Sequence, residues 1–180
     1  CMSEERKAQM RFCSRFYVRL SWRSQYVGVL ETKVEGVTYY FIDNEYYFAG
    51  AKPYNNIYED VEKFAYFSKA VLEALPVIGF CPDILHCHDW QTGLIPVYLK
   101  NEYQKKGHPK EAFYQGVRTI FTIHNLQFQG RWMIQAVKDI TGLPEHLFTA
   151  DKLEAYGEGN YLKGGVVYSD IITTVSKTYA

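Results

Sequence analysis

The 180-residue sequence lacks several features that would place it in a specialised class of protein. No apolar run approaches the roughly 18–20 residues that a membrane-spanning helix needs, so we expect no membrane partner. Twenty basic and twenty acidic residues leave no net charge, and nothing favours nucleic acid as a partner. The four cysteines show no CxxC spacing and no signal-peptide pattern is present. We therefore expect reduced thiols and a cytoplasmic location.

What is present is typical of a globular domain with a substantial core. Hydrophobic residues make up 47% of the chain and charged residues 22%, which are ordinary values. Sixteen tyrosines contribute to an aromatic share of 17%. Tyrosine suits carbohydrate binding, and it suits cores and interfaces equally well. The chain begins at Cys1 rather than Met, and its last residues continue a helix-like pattern. We expect it to be part of a longer protein.

The first quarter of the sequence is predicted to be antiparallel β-structure. Residues 16–22, FYVRLSW, alternate so that Phe16, Val18, Leu20 and Trp22 share one face. The runs YVGVLETKV and VTYYFID flank Glu35-Gly36, a pair typical of a two-residue hairpin turn. This part therefore predicts an antiparallel hairpin near the N-terminus.

From residue 57 onward, predicted helices and strands alternate. Helical spacing covers residues 57–75 and about 92–105, and LKGGVVYS indicates a further helix. The runs ILHC, RTIFTI and DIITTVS read as strands, and residues 127–156 read as a loop-and-helix region. This alternation predicts an α/β fold, a Rossmann-like and mostly parallel sheet flanked by helices.

Polar side chains follow each apolar strand run. In sheets of this class, ligands bind beyond the carboxyl ends of the strands. We therefore expect the endings of neighbouring strands, above all Asp89 and His124, to converge on one crevice. The polar endings are Asp43-Asn44, His88-Asp89-Trp90, His124-Asn125 and Ser176.

The cluster HCHD, residues 86–89, has more than one interpretation. His86 and His88 face the same side of a strand, and with Asp89 and His124 they could hold the metal of a hydrolase. No second cluster completes a ligand shell, so we expect no metal. On that interpretation His86 is a hydrogen-bonded core histidine. Asp89 caps the helix that starts near Thr92, binds ligand, or does both.

Three further features of the sequence each allow more than one interpretation. Trp90 either packs in the core or forms a stacking wall for a ligand. His124, at the end of an apolar strand, is either a ligand-binding residue or a buried structural histidine. The glycine-rich run YGEGNYLKGG at 156–165 lacks the spacing of a phosphate loop and is read mainly as a tight turn. The role of Lys163 within it stays open.

Several motifs together resemble one known family. HCHDWQTGLIPVYLK, RTIFTIHNLQFQG and NYLKGGVVYSDIITTVSKTYA, in this order, are similar to bacterial glycogen synthases and plant starch synthases. WRSQYVGVLE and GVTYYFIDNEYYF fit the same family. The combination of HDWQTG with FTIHN is specific, and the resemblance covers nearly the whole chain.

The resemblance implies an enzyme with two Rossmann-like domains, the GT-B arrangement. Such an enzyme moves glucose from ADP-glucose to the non-reducing end of an α-1,4-glucan, retaining anomeric configuration without a metal or other cofactor. It implies that His124 lines the donor glucose pocket and helps to stabilise the positive charge that develops at the anomeric carbon. It also implies that Asp89 and Trp90 bind at the sugar edge, with Asn125 adjoining them.

The family's first strand with its KTGGL loop, and its whole C-terminal domain, do not occur in residues 1–180. The resemblance therefore implies that residues 1–180 are a partial N-terminal domain that is inactive alone. A sheet without its first strand is expected to expose an edge that favours self-association. Two alternatives stay open, a metal-dependent hydrolase that uses the HCHD cluster and a glucan-binding module without chemistry.

Overall fold

Three small sheets organise the protein, which is described by a computed structural model over residues 9–50 and 52–176. The first is antiparallel with strand order β1-β2-β3, the second is parallel with order β4-β5-β9, and the third is antiparallel with order β6-β8-β7. The strands are β1 (Arg11–Leu20), β2 (Arg23–Val34), β3 (Val37–Asp43), β4 (Ile84–His88), β5 (Arg118–Ile123), β6 (Arg131–Met133), β7 (Glu154–Ala155), β8 (Glu158–Asn160) and β9 (Ile171–Thr174).

Over the described residues, six α-helices connect and cover these strands. They are α1 (Glu45–Phe48), α2 (Ile57–Val77), α3 (Leu94–Tyr98), α4 (Glu111–Tyr114), α5 (Ile134–Thr141) and α6 (Tyr161–Tyr168). Short 3₁₀ turns occupy Trp90–Thr92 and Glu145–Leu147, and α3 continues as a π-helical segment over Leu99–Tyr103. An asparagine caps the N-terminus of three helices, and its side chain accepts the backbone N–H of the residue three positions further along. The caps are Asn44 for α1, Asn56 for α2 and Asn160 for α6. Within the described ranges, no helix has the length and apolar character that a membrane crossing requires.

The antiparallel sheet confirms the predicted hairpin. Val34 pairs with Val37 across Glu35-Gly36, whose φ angles of 50° and 85° are both positive, as a tight hairpin of this kind requires. The prediction for Trp22 was wrong, because its side chain is 69% exposed. Leu20 pairs with Arg23, so the strand ends at Leu20 and Trp22 lies in the turn that follows it.

The parallel sheet has one covered face and one open face. Helix α6 lies so close to the covered face that a Cβ at Gly165 would sit 2.4 Å from the ring of Phe121. On the open face, Ile84, His86 and His88 of β4 are exposed. In the part of the chain that is described, β4 and β9 are the edge strands. Self-association through such an edge stays a prediction.

Buried tyrosines hold segments that are distant in sequence. Tyr161 donates its hydroxyl to the backbone oxygen of Val61 at 3.0 Å, and Tyr98 donates to that of Thr141 at 3.1 Å. Burial raises the phenol pKa of every member of the group. Among the described residues, the fully buried tyrosines are Tyr66, Tyr98, Tyr103, Tyr114 and Tyr161.

The predicted α/β class, with antiparallel structure before a parallel sheet, is confirmed. Helices α1 and α4 and the sheet β6-β8-β7 were not predicted. Helix α4 lies between the predicted helix at about 92–105 and the predicted strand RTIFTI, and the sheet lies largely in the region read as loop and helix. Its strands have only two or three residues, too few for a periodic pattern to appear.

Candidate functional site

Asp89 and His124 lie side by side at the carboxyl edge of the parallel sheet, as predicted. Strands β4 and β5 are parallel neighbours, with His88 in register with Thr122. The Asp89 side chain spans the gap, since its Oδ1 accepts the backbone N–H of His124 at 2.8 Å and that of Asn125 at 3.3 Å. The backbone N–H of Asp89 donates to the Thr122 oxygen at 3.0 Å. One carboxylate thus joins the ends of both strands.

The backbone of Asp89 is strained. Its φ of 54° and ψ of −176° lie in a region that is almost reserved for glycine. Its side chain makes no capping bond to the helix that follows, so the capping interpretation was wrong. Thr92 closes the turn instead, because its hydroxyl oxygen accepts the N–H of His88 at 2.7 Å. The Asp89 carboxylate points across the sheet edge and not forward along the chain.

Three histidines form a row on the open face. His88 Nδ1 lies 2.9 Å from His124 Nε2, and the His86 ring centroid lies 4.2 Å from that of His88. His86 is hydrogen-bonded, with Nε2 2.7 Å from the hydroxyl of Thr122, but it is exposed, so its predicted place in the core was wrong. Burial lowers the pKa of His88, as do its histidine neighbours, while Asp89 opposes them.

The metal site that the HCHD cluster could form gains no support from the geometry. Over residues 9–50 and 52–176, no group of three or more histidine, cysteine, aspartate or glutamate side chains is arranged to hold a metal ion. The rings of His88 and His124 are directed at each other and not at a common centre. That the chain uses no metal stays a prediction.

Trp90 is mostly a packing residue. Its side chain is 5% exposed and meets the ring of Phe64 edge-on at 4.9 Å. Gly130, with φ of 61°, lies against the indole, and a Cβ there would sit 2.2 Å from the ring. A cavity of about 260 Å³ is lined by Trp90, Phe128 and Trp132. The role of Trp90 in sugar binding stays a prediction.

Sequence reasoning missed a contact between Gln91 and Tyr54. The Gln91 amide donates to the Tyr54 hydroxyl at 2.7 Å. A buried ion pair holds the loop that carries Tyr54, since Lys63 Nζ lies 2.7 Å from Asp60 and donates to the Pro53 oxygen at 2.9 Å. Only the position of Gln91, directly after Asp89-Trp90, could have signalled this contact.

Apart from Ser176, the other predicted features lie away from this edge. Tyr156 and Gly157, with φ of 55° and 79°, form the turn between β7 and β8, which confirms a tight turn at these two residues. The rest of the run was wrongly read as a turn, because Glu158–Asn160 form β8 and the residues after it begin α6. Lys163 donates to the backbone oxygens of Ala150 and Glu154, each at 2.5 Å. Asp43 belongs to the antiparallel sheet and Asn44 caps α1. Ser176 follows β9, the strand beside β5.

Comparison with known proteins gives consistent matches over the chain. The family model described as "Starch synthase catalytic domain" matches residues 1–180. The chain is 61% identical over 180 residues to a glycogen synthase of Lachnospira eligens, covering 100% of this chain and 37% of that protein. It is 63% identical over 174 residues to a glycogen synthase of Lachnoclostridium phytofermentans, covering 97% of this chain and 35% of that protein.

A solved structure is also similar. It is the catalytic domain of starch synthase IV from Arabidopsis thaliana bound to ADP and acarbose, with a TM-score of 0.82 and 30% identity. The match covers 94% of this chain and 34% of that one. The chain therefore spans little more than a third of the length of the relatives it matches.

Proposed function

Because the chain belongs to the starch synthase catalytic domain family, we propose that it forms part of a retaining glycosyltransferase. The whole protein transfers glucose from ADP-glucose to the non-reducing end of an α-1,4-glucan. Residues 1–180 correspond to part of its N-terminal Rossmann-like domain. The first strand with its KTGGL loop and the C-terminal domain come from the rest of the whole protein, so the 180-residue chain alone is inactive.

The observation that carries this proposal is the Asp89 carboxylate that fixes the turn at His124 and Asn125. Glycosyl transfer develops positive charge at the anomeric carbon, and polar groups already held in place stabilise it without having to reorganise. His124 lies against the donor glucose in this role. Asp89 Oδ2 has no hydrogen-bond partner in the described ranges and is left to accept from a sugar hydroxyl. Asn125 supplies an amide beside it, and Trp90 binds the sugar at the same edge.

The donor is ADP-glucose, in line with the relative bound to ADP and acarbose. The three cysteines in the described part of the chain, Cys13, Cys81 and Cys87, are free thiols. That state suits a reducing compartment, and we place the whole protein in the cytoplasm.

The test is an assay of the whole protein with ADP-glucose and glycogen. We expect ADP release matched by glucose in new α-1,4 links, with less transfer from UDP-glucose. His124→Ala should lower kcat by about 10²–10³ with little change in melting temperature. His108→Ala is the matched control, since His108 packs on Tyr103 away from the sheet edge. Absence of ADP release would overturn the proposal, and a His124→Ala enzyme that melts early with near-normal kcat would leave His124 as scaffold.

A glucan-binding module without chemistry is the second candidate, and the cavity beside Trp90 favours it. Aromatic rings next to amide and charged side chains are the groups that bind sugars, and this cavity combines Phe128 and Trp132 with Gln127, Arg131 and Glu158. Calorimetry of malto-oligosaccharide with the whole protein distinguishes the two. Binding without any turnover of ADP-glucose would favour the module.

A further inference from the structure

The proposed function assigns no role to His88, yet its ring is bonded to that of His124. The 2.9 Å between His88 Nδ1 and His124 Nε2 is a hydrogen-bond distance. A neutral imidazole donates from one nitrogen and accepts at the other. One proton therefore lies between the two rings, and the bond occupies one of the two nitrogens of His124.

We propose that His88 is a positioning residue that fixes the ring orientation and tautomer of His124, leaving only His124 Nδ1 to face the donor sugar. This inference rests on the proposed function, because it assigns His124 to the donor site. His88 itself touches no substrate in this arrangement, and its effect reaches the reaction through His124.

The His88 ring is well placed for this task because its own backbone is held. The Thr92 hydroxyl accepts the N–H of His88 at 2.7 Å and donates to its backbone oxygen at 2.8 Å. The ring of His86 lies alongside. Asp89 holds the backbone of His124, so His124 is held at both its amide and its ring. A side chain held at two points keeps its orientation when a substrate arrives.

The pairing also limits charge at the site. If both rings were protonated, two N–H donors would face each other with no acceptor between them. The contact therefore requires at least one neutral ring. The other titratable groups that face His88 are His86 and Asp89. A neutral His124 ring does not repel the positive charge that builds at the anomeric carbon, whereas an imidazolium would.

The kinetic test compares His88→Ala with His88→Asn in the whole protein. Alanine removes the partner of His124 Nε2, and we expect kcat to fall about ten- to hundredfold with a smaller change in KM, as for a misplaced group. Asparagine places an amide near the position of Nδ1, and it should recover most of the loss. The pH profile of kcat should shift in the alanine variant and return toward the original in the asparagine variant.

A spectroscopic test needs no activity. In protein labelled with ¹⁵N at histidine, the ring nitrogen signals of His124 report its tautomer. They should move in His88→Ala and return in His88→Asn, while the control His108→Ala leaves them unchanged. If His88→Ala does not fold, the wild-type tautomer and the asparagine variant decide the matter.

Three results would overturn the inference. The first is a kcat of His88→Ala within about twofold of wild type. The second is an equal loss of kcat in His88→Ala and His88→Asn with unchanged His124 ring nitrogen signals, and the third is a mixture of His124 tautomers in the wild type. If the unsubstituted protein releases no ADP, the proposed function fails, and the ¹⁵N spectra still decide whether His88 holds His124.

Discussion

The carboxylate of Asp89 accepts the backbone N–H of His124 at 2.8 Å, across 35 positions of sequence. This bond ties together two strand ends that no local interaction connects. Asp89 makes it from a backbone conformation that favours glycine, with φ of 54°. Strain of this kind costs on the order of 1–3 kcal/mol and persists only where the surroundings enforce it. The strained backbone of Asp89 thus lowers the stability of the fold, and in return the carboxylate is fixed against the backbone of His124.

Substitution of Asp89 should separate stability from activity. Asp89→Gly and Asp89→Ala both remove the carboxylate, and both should abolish most turnover. Glycine relieves the strain and alanine does not. The free energy of unfolding of the glycine variant should therefore exceed that of the alanine variant by about 1 kcal/mol, although glycine also raises the entropy of the unfolded chain, which opposes the gain. Urea unfolding of the two proteins measures the difference. An alanine variant as stable as the glycine variant would show that Asp89 is unstrained.

The stability of the protein should depend on pH through His88. Its folded-state pKa is lowered, chiefly by burial and then by His86 and His124, so the unfolded chain binds a proton more readily. Stability is therefore highest above the unfolded pKa of about 6.5 and falls as pH drops from there toward the folded pKa. His88→Asn has no such proton, and its unfolding free energy should fall less between about pH 7.5 and pH 5.5.

The control for this pH comparison is His108→Asn, which removes a histidine away from the row. Chemical unfolding at both pH values, on all three proteins, measures the change. If His88→Asn and the wild type lose equal stability on acidification, the proton linkage is assigned to the wrong residue.

Gly165 should not tolerate even a methyl group. A Cβ there would sit 2.4 Å from the ring of Phe121, which is fully buried. Gly165→Ala should destabilise the fold by about 1–3 kcal/mol, because overpacking outweighs the gain in helix propensity. Gly116→Ala is the control, since nothing lies within 4 Å of the added atom. Thermal unfolding that ranks the two variants equally would contradict the close approach of α6 to the sheet.

The buried ion pair between Lys63 and Asp60 should be costly to break. Both residues are 4% exposed, and removal of one partner leaves the other charge uncompensated. Lys63→Met keeps the aliphatic stem and should destabilise the protein by about 3–5 kcal/mol. The double variant Lys63→Met/Asp60→Asn should recover part of this loss, because an amide oxygen can still accept the Asn55 N–H. Denaturant unfolding measures both, and a double variant no better than the single one would argue against a buried-charge penalty.

Most of the fold follows from local patterns that the sequence displays. Alternation buries Val18, Leu20, Val27 and Val29 on one face of the antiparallel sheet, and Glu35-Gly36 supplies the positive φ angles of its turn. The convergence of Asp89 and His124 was also predictable, because parallel neighbours end at one edge.

The remaining details depend on partners that are distant in the chain. The Asp89 carboxylate could reach either its own helix or the end of β5, and only the register of β4 against β5 decides between them. The bond between Gln91 and Tyr54 depends on how a loop before α2 is anchored. No periodicity or spacing within one segment specifies such contacts.

The five fully buried tyrosines of the described residues make the unfolding of the protein visible by absorbance. Each hydroxyl is bonded within the fold, and burial holds each phenol in its neutral form well beyond the alkalinity that ionises tyrosine in water. These phenols ionise together when the chain opens, so a sudden rise in phenolate absorbance marks the loss of the core.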